Sequence, residues 1–217
     1  PTELIRYGAP LLDDPAPGRL APLGLEPRRY HLVVARLEPE NHVDVIIDGY
    51  TRSAATDPLV VVGAAPYAEA YTQRVHSLAD SRVRFLGGVW DQPLLNALYA
   101  NALTYLHGHS VGGTNPSLLR AMGAGTATDA FDVSFNREVL GEAGRYWVDA
   151  ADVARLVLEA EHYRDAAVAR GEQSRVRAAE FTWDDVADGY EALCRRLSSR
   201  AGRAKQRPSG RRRRSGA

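Results

Sequence analysis

The chain has 217 residues, 45% of them hydrophobic and 25% charged, and a formal net charge of zero. That is ordinary globular composition, with enough apolar residues for one sizeable core. A single cysteine, Cys194, excludes an internal disulfide framework and a cysteine zinc cage, and no apolar run approaches the roughly 20 residues of a membrane-spanning helix. No signal peptide is visible. The zero balance hides an asymmetry. Ten Arg and Lys, and no Asp or Glu, lie between Arg195 and the end, so the preceding body carries the matching excess of acid.

In chain order, Glu3–Tyr7 reads as a lone strand and Pro10–Pro22, with several Pro and a Gly, as a linker. Because the chain opens on Pro1, residues 1–22 are expected to be the remnant of a missing N-terminal domain. Four short runs rich in β-branched or aromatic residues then read as strands: Tyr30–Ala35, Leu59–Val62, Val83–Leu86 and Ala102–Leu106. Two weaker ones follow at Thr126–Ala130 and Arg145–Val148. Helix-like stretches lie between them at Val43–Ser53, Tyr67–Ala79, Pro93–Asn101, Pro116–Met122 and Phe135–Leu140. Nearly continuous apolar strands alternating with helices predict a parallel sheet covered on both faces. Right-handed crossovers make it an α/β, Rossmann-like doubly wound fold. Past Val148 the pattern is helical, with Ala151–Val168 and Thr182–Leu197 carrying apolar residues at helical spacing. Thr182 with Asp185 resembles a capping box. The domain is thus expected over residues 23–197, ahead of a disordered basic tail over 198–217.

Ligands of open parallel sheets bind beyond the carboxyl ends of the strands. Two polar stretches leave such ends, Arg36 to His42 and His107 to Ser117. In the second, Gly112 and Gly113 let the backbone take positive φ and approach a ligand closely. Asn115 is a good N-cap, Pro116 suits a first helical turn, and Gly123 or Gly125 ends the helix. Free N–H groups and the positive end of the helix dipole then suit a phosphate; the alternative is a well-capped connection without a ligand. Arg36 offers a fork suited to a diphosphate, unless Glu38 or Glu40 holds it as a surface pair. His107 and His109 are acid–base candidates by residue type. Asp129, Asp132 and Glu138 near the next strand end suit a sugar, a cation or plain solvation. There is no Gly-x-x-x-x-Gly-Lys-Ser/Thr loop, no Gly-x-Gly-x-x-Gly after the first strand, no Gly-x-Ser-x-Gly elbow and no metal-ligand spacing.

Five ordered segments resemble one family. They are Val34-Ala35-Arg36-Leu37-Glu38-Pro39-Glu40-Asn41-His42, Leu59-Val60-Val61-Val62-Gly63, Val83-Arg84-Phe85-Leu86-Gly87, the stretch from His107 through Leu119, and Thr128-Asp129 with the stretch Asn136 to Gly144. Together they are similar to the C-terminal, donor-binding domain of retaining GT-B glycosyltransferases of the glycogen-synthase-like group, nearest to its rhamnosyltransferase-like bacterial branch. The likeness covers roughly Tyr30 to Leu197, and Ile5-Arg6-Tyr7-Gly8-Ala9 looks like the end of the preceding domain.

The resemblance implies that Arg36 binds the diphosphate of a nucleotide-sugar donor. It also implies that Asn41, His107, His109, Gly112, Gly113, Thr114, Asn115 and Ser117 surround phosphate and sugar, and that Phe85, Leu86 and Gly87 lie along the base. It implies no cofactor and no metal, and a front-face transfer in which the protein stabilises the leaving diphosphate. Two departures stand out. Asn41 occupies a position where many relatives carry Lys. The family's pair of glutamates falls at Gly112 and Arg120, and loss of the second is unusual. Arg has five donors and no acceptor, so it cannot take up ribose hydroxyls as Glu does.

The first expectation is therefore the donor-binding half of a hexosyl- or rhamnosyltransferase-like enzyme of polysaccharide biosynthesis, inactive by itself. Its partners would be a nucleotide-sugar donor and a glycan or lipid-linked acceptor held by the missing domain. The alternatives are a non-catalytic nucleotide-sugar module, with Arg120 the mark of a degenerate site, and a sugar-nucleotide epimerase of the same architecture. The basic tail suggests a cytoplasmic protein, peripheral at the inner face of the plasma membrane through anionic lipid, with no specific nucleic acid as partner.

Overall fold

The computed structural model describes residues 4–205. Six strands form one parallel sheet: β1 His31–Val34, β2 Leu59–Val62, β3 Val83–Gly87, β4 Thr104–His107, β5 Ala127–Phe131 and β6 Arg145–Trp147. Their order is β3-β2-β1-β4-β5-β6. Leu59, Val60, Val61 and Val62 are all buried, as a strand sandwiched between two helical layers requires, and their branched side chains suit the pleat.

Successive residues alternate between two cores. Val33, Leu59 and Val61 pack with α1 (Val43–Arg52), α2 (Glu69–Ser77) and α6 (Ala150–His162). Leu32, Val60 and Tyr105 pack on the other face, under α3 (Gln92–Asn101) and part of α4 (Pro116–Gly123). Leu118, Leu119 and Met122 of α4 are buried against α5 (Ser134–Leu140) and Phe181; burial of each such side chain contributes about 1.5–3 kcal/mol. This is the Rossmann-like doubly wound arrangement read from the sequence.

Four local expectations are corrected. Residues 4–7 form no strand. Residues 10–22 do not run free as a linker: the Leu12 N–H donates to the Gly123 carbonyl at 3.0 Å, and a 3-10 helix at Pro17–Leu23 buries Leu20 completely. The expected helix Ala151–Val168 is two helices, because Tyr163 leaves helical geometry (φ −119, ψ 56) between α6 and α7 (Arg164–Ala178). Finally, α8 (Trp183–Lys205) continues into the segment expected to be disordered; residues 206–217 lie outside the described residues. Its capping box forms as read, with the Asp185 N–H donating to Thr182 Oγ1 at 3.1 Å. Among the described residues no helix is long and apolar enough to cross a membrane.

Candidate functional site

The strand order reverses at β1 and β4, and the sheet opens there. β1 and β4 pair only through His31–Thr104 and Leu32–Tyr105. Beyond that point the Val34 carbonyl faces the Tyr105 hydroxyl and Ser117 Oγ, each at 3.4 Å. The two strands therefore diverge toward their carboxyl ends and leave a crevice at the switch point, the usual ligand position of such sheets.

The loops that leave β1 and β4 are tied to each other across this crevice. The Ser110 N–H and Oγ both donate to the Glu40 carbonyl, at 2.9 and 3.0 Å. His42 Nδ1 is 2.9 Å from the Gly108 carbonyl, and the His42 ring stacks on Phe131. Gly108 is required by this contact, since a Cβ there would lie 2.1 Å from the Asn41 carbonyl oxygen. Asn41 itself is buried, and its amide donates to the Arg36 carbonyl at 2.9 Å. The residue expected to reach a ligand is instead committed to holding the Arg36 loop.

Beyond Ser110 the β4 loop is open. Val111, Gly112 and Gly113 are exposed, Gly112 has φ +127, and no side chain stands within 4 Å of where a Cβ on Gly112 or Gly113 would be. Among the described residues the N–H groups of Gly112, Gly113 and Thr114 have no hydrogen-bond acceptor. Asn115 caps α4 by accepting from the Ser117 N–H at 2.9 Å, and Pro116 takes the first turn. Free donors thus lie next to the positive end of α4 at the carboxyl edge of the sheet.

Arg36 projects from the opposite side with a largely exposed side chain. It pairs with Glu38 at 3.1 Å and donates to the Tyr67 hydroxyl at 3.3 Å, while Tyr67 donates to Glu38. The surface-pair alternative is thus formed, but it uses only part of the guanidinium fork. The hydrogen bond to Tyr67 and the charge of Glu38 both raise the Arg36 pKa.

His107 and His109 stack at 4.4 Å between ring centroids, 13° from coplanar. His107 is wholly buried at the end of β4, where burial first and then His109 depress its pKa well below the usual histidine value, opposed by Asn136. Burial, then the charges of Arg36 and His42, push His109 down to about 4. The Ser110–Glu40 and His42–Gly108 hydrogen bonds hold the two loops together beside these rings. Both imidazoles are neutral at pH 7 and poorly matched to proton transfer there.

Behind them lies a buried polar network that sequence reasoning missed. Tyr105 Oη is 2.7 Å from Ser117 Oγ and 3.1 Å from His107 Nδ1. Burial raises the Tyr105 pKa well above its usual value and pushes Tyr99 up to about 12, so both phenols stay neutral. Ser117 therefore braces α4 against β4. Asn136 donates to the carbonyls of His109 and Phe131, at 3.0 and 2.9 Å, and fixes the loop from the β5 side. Tyr67 carried no spacing signal, because it is brought in from another loop; Asn136 opens one of the segments that carry the family resemblance, but its contact with the His109 carbonyl comes from the fold.

The remaining expected residues divide. Phe85 packs against the His76 ring at a tilt of 39°, and with Gly63, Pro66 and Gly87 it lines a cleft of about 320 Å³ at the ends of β2 and β3. Leu86 packs into the opposite core. Arg120 is half-buried on α4, and its guanidinium makes no hydrogen bond or ion pair among the described residues. The carboxylates are used structurally: Asp129 is buried in a two-pronged pair with Arg145 at 2.8 and 3.0 Å, Asp132 pairs with Arg137, and Glu138 with Arg6. Among the described residues no group of His, Cys, Asp and Glu is arranged to hold a metal ion.

Residues 28–163, more than half of the chain, match the family profile of glycosyl transferases group 1. The chain belongs to that family. A search of curated protein sequences gives no match. Among solved structures, the sucrose-phosphate synthase of Thermosynechococcus elongatus superposes with a TM-score of 0.77 at 21% identity, over 91% of this chain and 53% of that one. HepE of Anabaena in complex with UDP gives 0.73 at 18% identity, over 87% and 53%. A glycosyltransferase of Rickettsia africae gives 0.74 at 14%, over 87% and 55%. The fold is that of GT-B glycosyltransferases, and the chain spans about half the length of these proteins.

Proposed function

We propose that this chain is the donor-binding half of a retaining glycosyltransferase that moves a hexosyl or rhamnosyl group from a nucleotide-diphosphate sugar to a glycan or lipid-linked acceptor. The observation that carries the reading is the joining of two loops at the switch point through the Ser110–Glu40 and His42–Gly108 hydrogen bonds, one loop carrying the exposed Arg36 guanidinium and the other the unbonded N–H groups of Gly112, Gly113 and Thr114 at the start of α4. Fixed donors from two sides suit a diphosphate better than a single phosphate. The solved HepE complexes with UDP and UDP-glucose support a nucleotide sugar as the ligand.

On this reading the work of the chain is electrostatic. As the glycosidic bond to the donor breaks, negative charge grows on the departing diphosphate, and preorganised donors stabilise it without rearrangement. The neutral His109 ring offers a hydrogen-bonding group at the same place without adding charge. The acceptor would be held by a preceding domain, so the chain by itself binds donor and does not transfer. The basic segment beyond Arg195 would hold such an enzyme near anionic lipid.

The test is calorimetric titration of the full chain with UDP, TDP, GDP and ADP, followed by the Arg36→Ala variant. Loss of a charge-assisted contact of about 1.5–3 kcal/mol predicts an affinity at least roughly tenfold weaker for whichever nucleotide binds best. Unchanged affinity in Arg36→Ala refutes the role given to that residue, and absence of binding by all four nucleotides refutes the donor-site reading.

A further inference from the structure

Glu38 is placed more firmly than the arginine it pairs with. Leu37 and Asn41 on either side of it are buried. The Glu38 N–H donates to the Arg36 carbonyl at 2.9 Å, and its own carbonyl accepts from the Asn41 N–H at 3.0 Å across the 3-10 turn Pro39–Asn41. Its side chain is 12% exposed, against 67% for Arg36. One carboxylate oxygen, Oε1, accepts from the Tyr67 hydroxyl. The other, Oε2, is buried and lies 3.1 Å from Arg36 Nη2, yet accepts no hydrogen bond among the described residues. The acids at the β5 end contrast with it: Asp129, Asp132 and Glu138 are each hydrogen-bonded to an arginine.

A fixed acid in contact with the guanidinium that is to grip a diphosphate opposes that grip. Most of the Arg36 side chain lies in solvent, so its head can turn toward an anion while the anchored Glu38 cannot follow. Turning uncovers Oε2 and leaves it without a partner beside a second negative group, which costs binding free energy. A ligand offsets that cost by bringing a donor of its own. A carboxylate only accepts, and a phosphate brings charge of the wrong sign. The matching group is a neutral hydroxyl attached close to the diphosphate. In a nucleotide sugar, sugar rings carry such hydroxyls on both sides of the diphosphate. Arg120 on α4 has donors alone and cannot accept them.

We propose that Glu38 is a specificity-determining residue: its unbonded carboxylate oxygen accepts a hydroxyl of a sugar ring next to the diphosphate, and its charge turns away anions that lack such a ring. The inference rests on the donor-site reading above. Discrimination then comes from a repulsive element as well as an attractive one.

Calorimetric titration of the full chain tests both halves of this. The ligands are pyrophosphate, the tightest-binding of UDP, TDP, GDP and ADP, and the glucose and rhamnose esters of that nucleotide. Glu38→Ala should bind pyrophosphate roughly fivefold more tightly, while its preference for a sugar-bearing ligand over pyrophosphate falls roughly tenfold. Glu38→Gln keeps an acceptor and drops the charge, so it should show the same gain for pyrophosphate and a smaller fall in preference. A fall already seen with the nucleoside diphosphate assigns the hydroxyl to the ribose; a fall seen only with the sugar esters assigns it to the transferred sugar. Either result supports the inference. Equal shifts for pyrophosphate, nucleotide and nucleotide sugar in both variants mean that Glu38 merely offsets the charge of Arg36; they overturn the inference and leave the donor site standing. Unchanged affinity for all of these ligands overturns it as well. Failure of all four nucleotides to bind the unsubstituted chain overturns both the inference and the reading beneath it.

Discussion

The neutral His109 makes the stability of the protein depend on pH in a way that can be worked through. Its pKa is pushed down to about 4, against an ordinary 6.5, by burial and then by the charges of Arg36 and His42. As pH falls through 6.5 the unfolded chain takes up this proton, while the folded chain does so only near 4. Between those values the unfolded state binds more protons, so stability falls as pH falls. At about 1.4 kcal/mol per pH decade, the whole gap is worth about 3 kcal/mol, and about 2 kcal/mol of it is lost between pH 7.5 and 5. His109→Gln removes the titrating group. Denaturant unfolding of both proteins at pH 7.5 and 5 should show the variant losing about 2 kcal/mol less than the unsubstituted chain over that interval. His107, depressed in the same direction, contributes to both proteins and largely cancels. Parallel pH dependence in the two proteins would refute the placement of His109 in a dry, cationic pocket. Proton NMR supplies an independent reading: in Arg36→Ala the His109 titration should move upward from about 4.

Two further perturbations test the frame around the site. Gly108→Ala forces a Cβ to within 2.1 Å of the Asn41 carbonyl and should cost about 1–3 kcal/mol or more. Gly113→Ala meets nothing within 4 Å and should stay within about 0.5 kcal/mol in denaturant unfolding; equal costs would contradict the loop geometry. At the opposite edge of the sheet, burial pushes the Glu161 carboxyl up. Hydrogen bonds from His31 and from the Thr56 and Asp57 N–H groups outweigh that and hold it at about 2. A depressed carboxylate stabilises above its unfolded pKa and loses that contribution as pH falls from about 4.5 toward 2. Glu161→Gln should therefore cost about 1.5–3 kcal/mol at pH 7, with the deficit shrinking below pH 4; a deficit independent of pH would refute the assignment.

What could be read from the chain followed from how strongly each element declares its own environment. β2 is four buried aliphatic residues in a row, and α4 carries its start signal in Asn115-Pro116, so both are legible locally. α7 is not. It buries Ala167, Gly171, Ser174 and Ala178 and presents Arg and Glu elsewhere, because Gly171 must approach the Gly125 carbonyl closely. A helix that packs through small residues has no apolar stripe to detect. The site divides along the same line. Arg36 and the glycine loop lie next to strand ends and are visible as motifs. The Tyr105 bridge between His107 and Ser117, the Tyr67 clamp and the reach of Asn136 to the His109 carbonyl depend on how β4, α4, α5 and the β2 loop are packed, and no spacing encodes them. Asn41 shows the converse: a polar residue in a motif that the fold spends on the loop itself.

Arg120 gives these pieces a common direction. α4 is eight residues long, so a residue one turn from its start is already in its last turn. A positive charge there complements the negative end of the helix dipole, which is a local stabilising role for the substitution. Arg120 is half-buried there, and its guanidinium makes no hydrogen bond or ion pair among the described residues. On the donor-site reading, an Arg here cannot accept a ribose hydroxyl, so discrimination among nucleotides would fall to other surfaces, such as the cleft of Phe85 and Gly87 at the ends of β2 and β3.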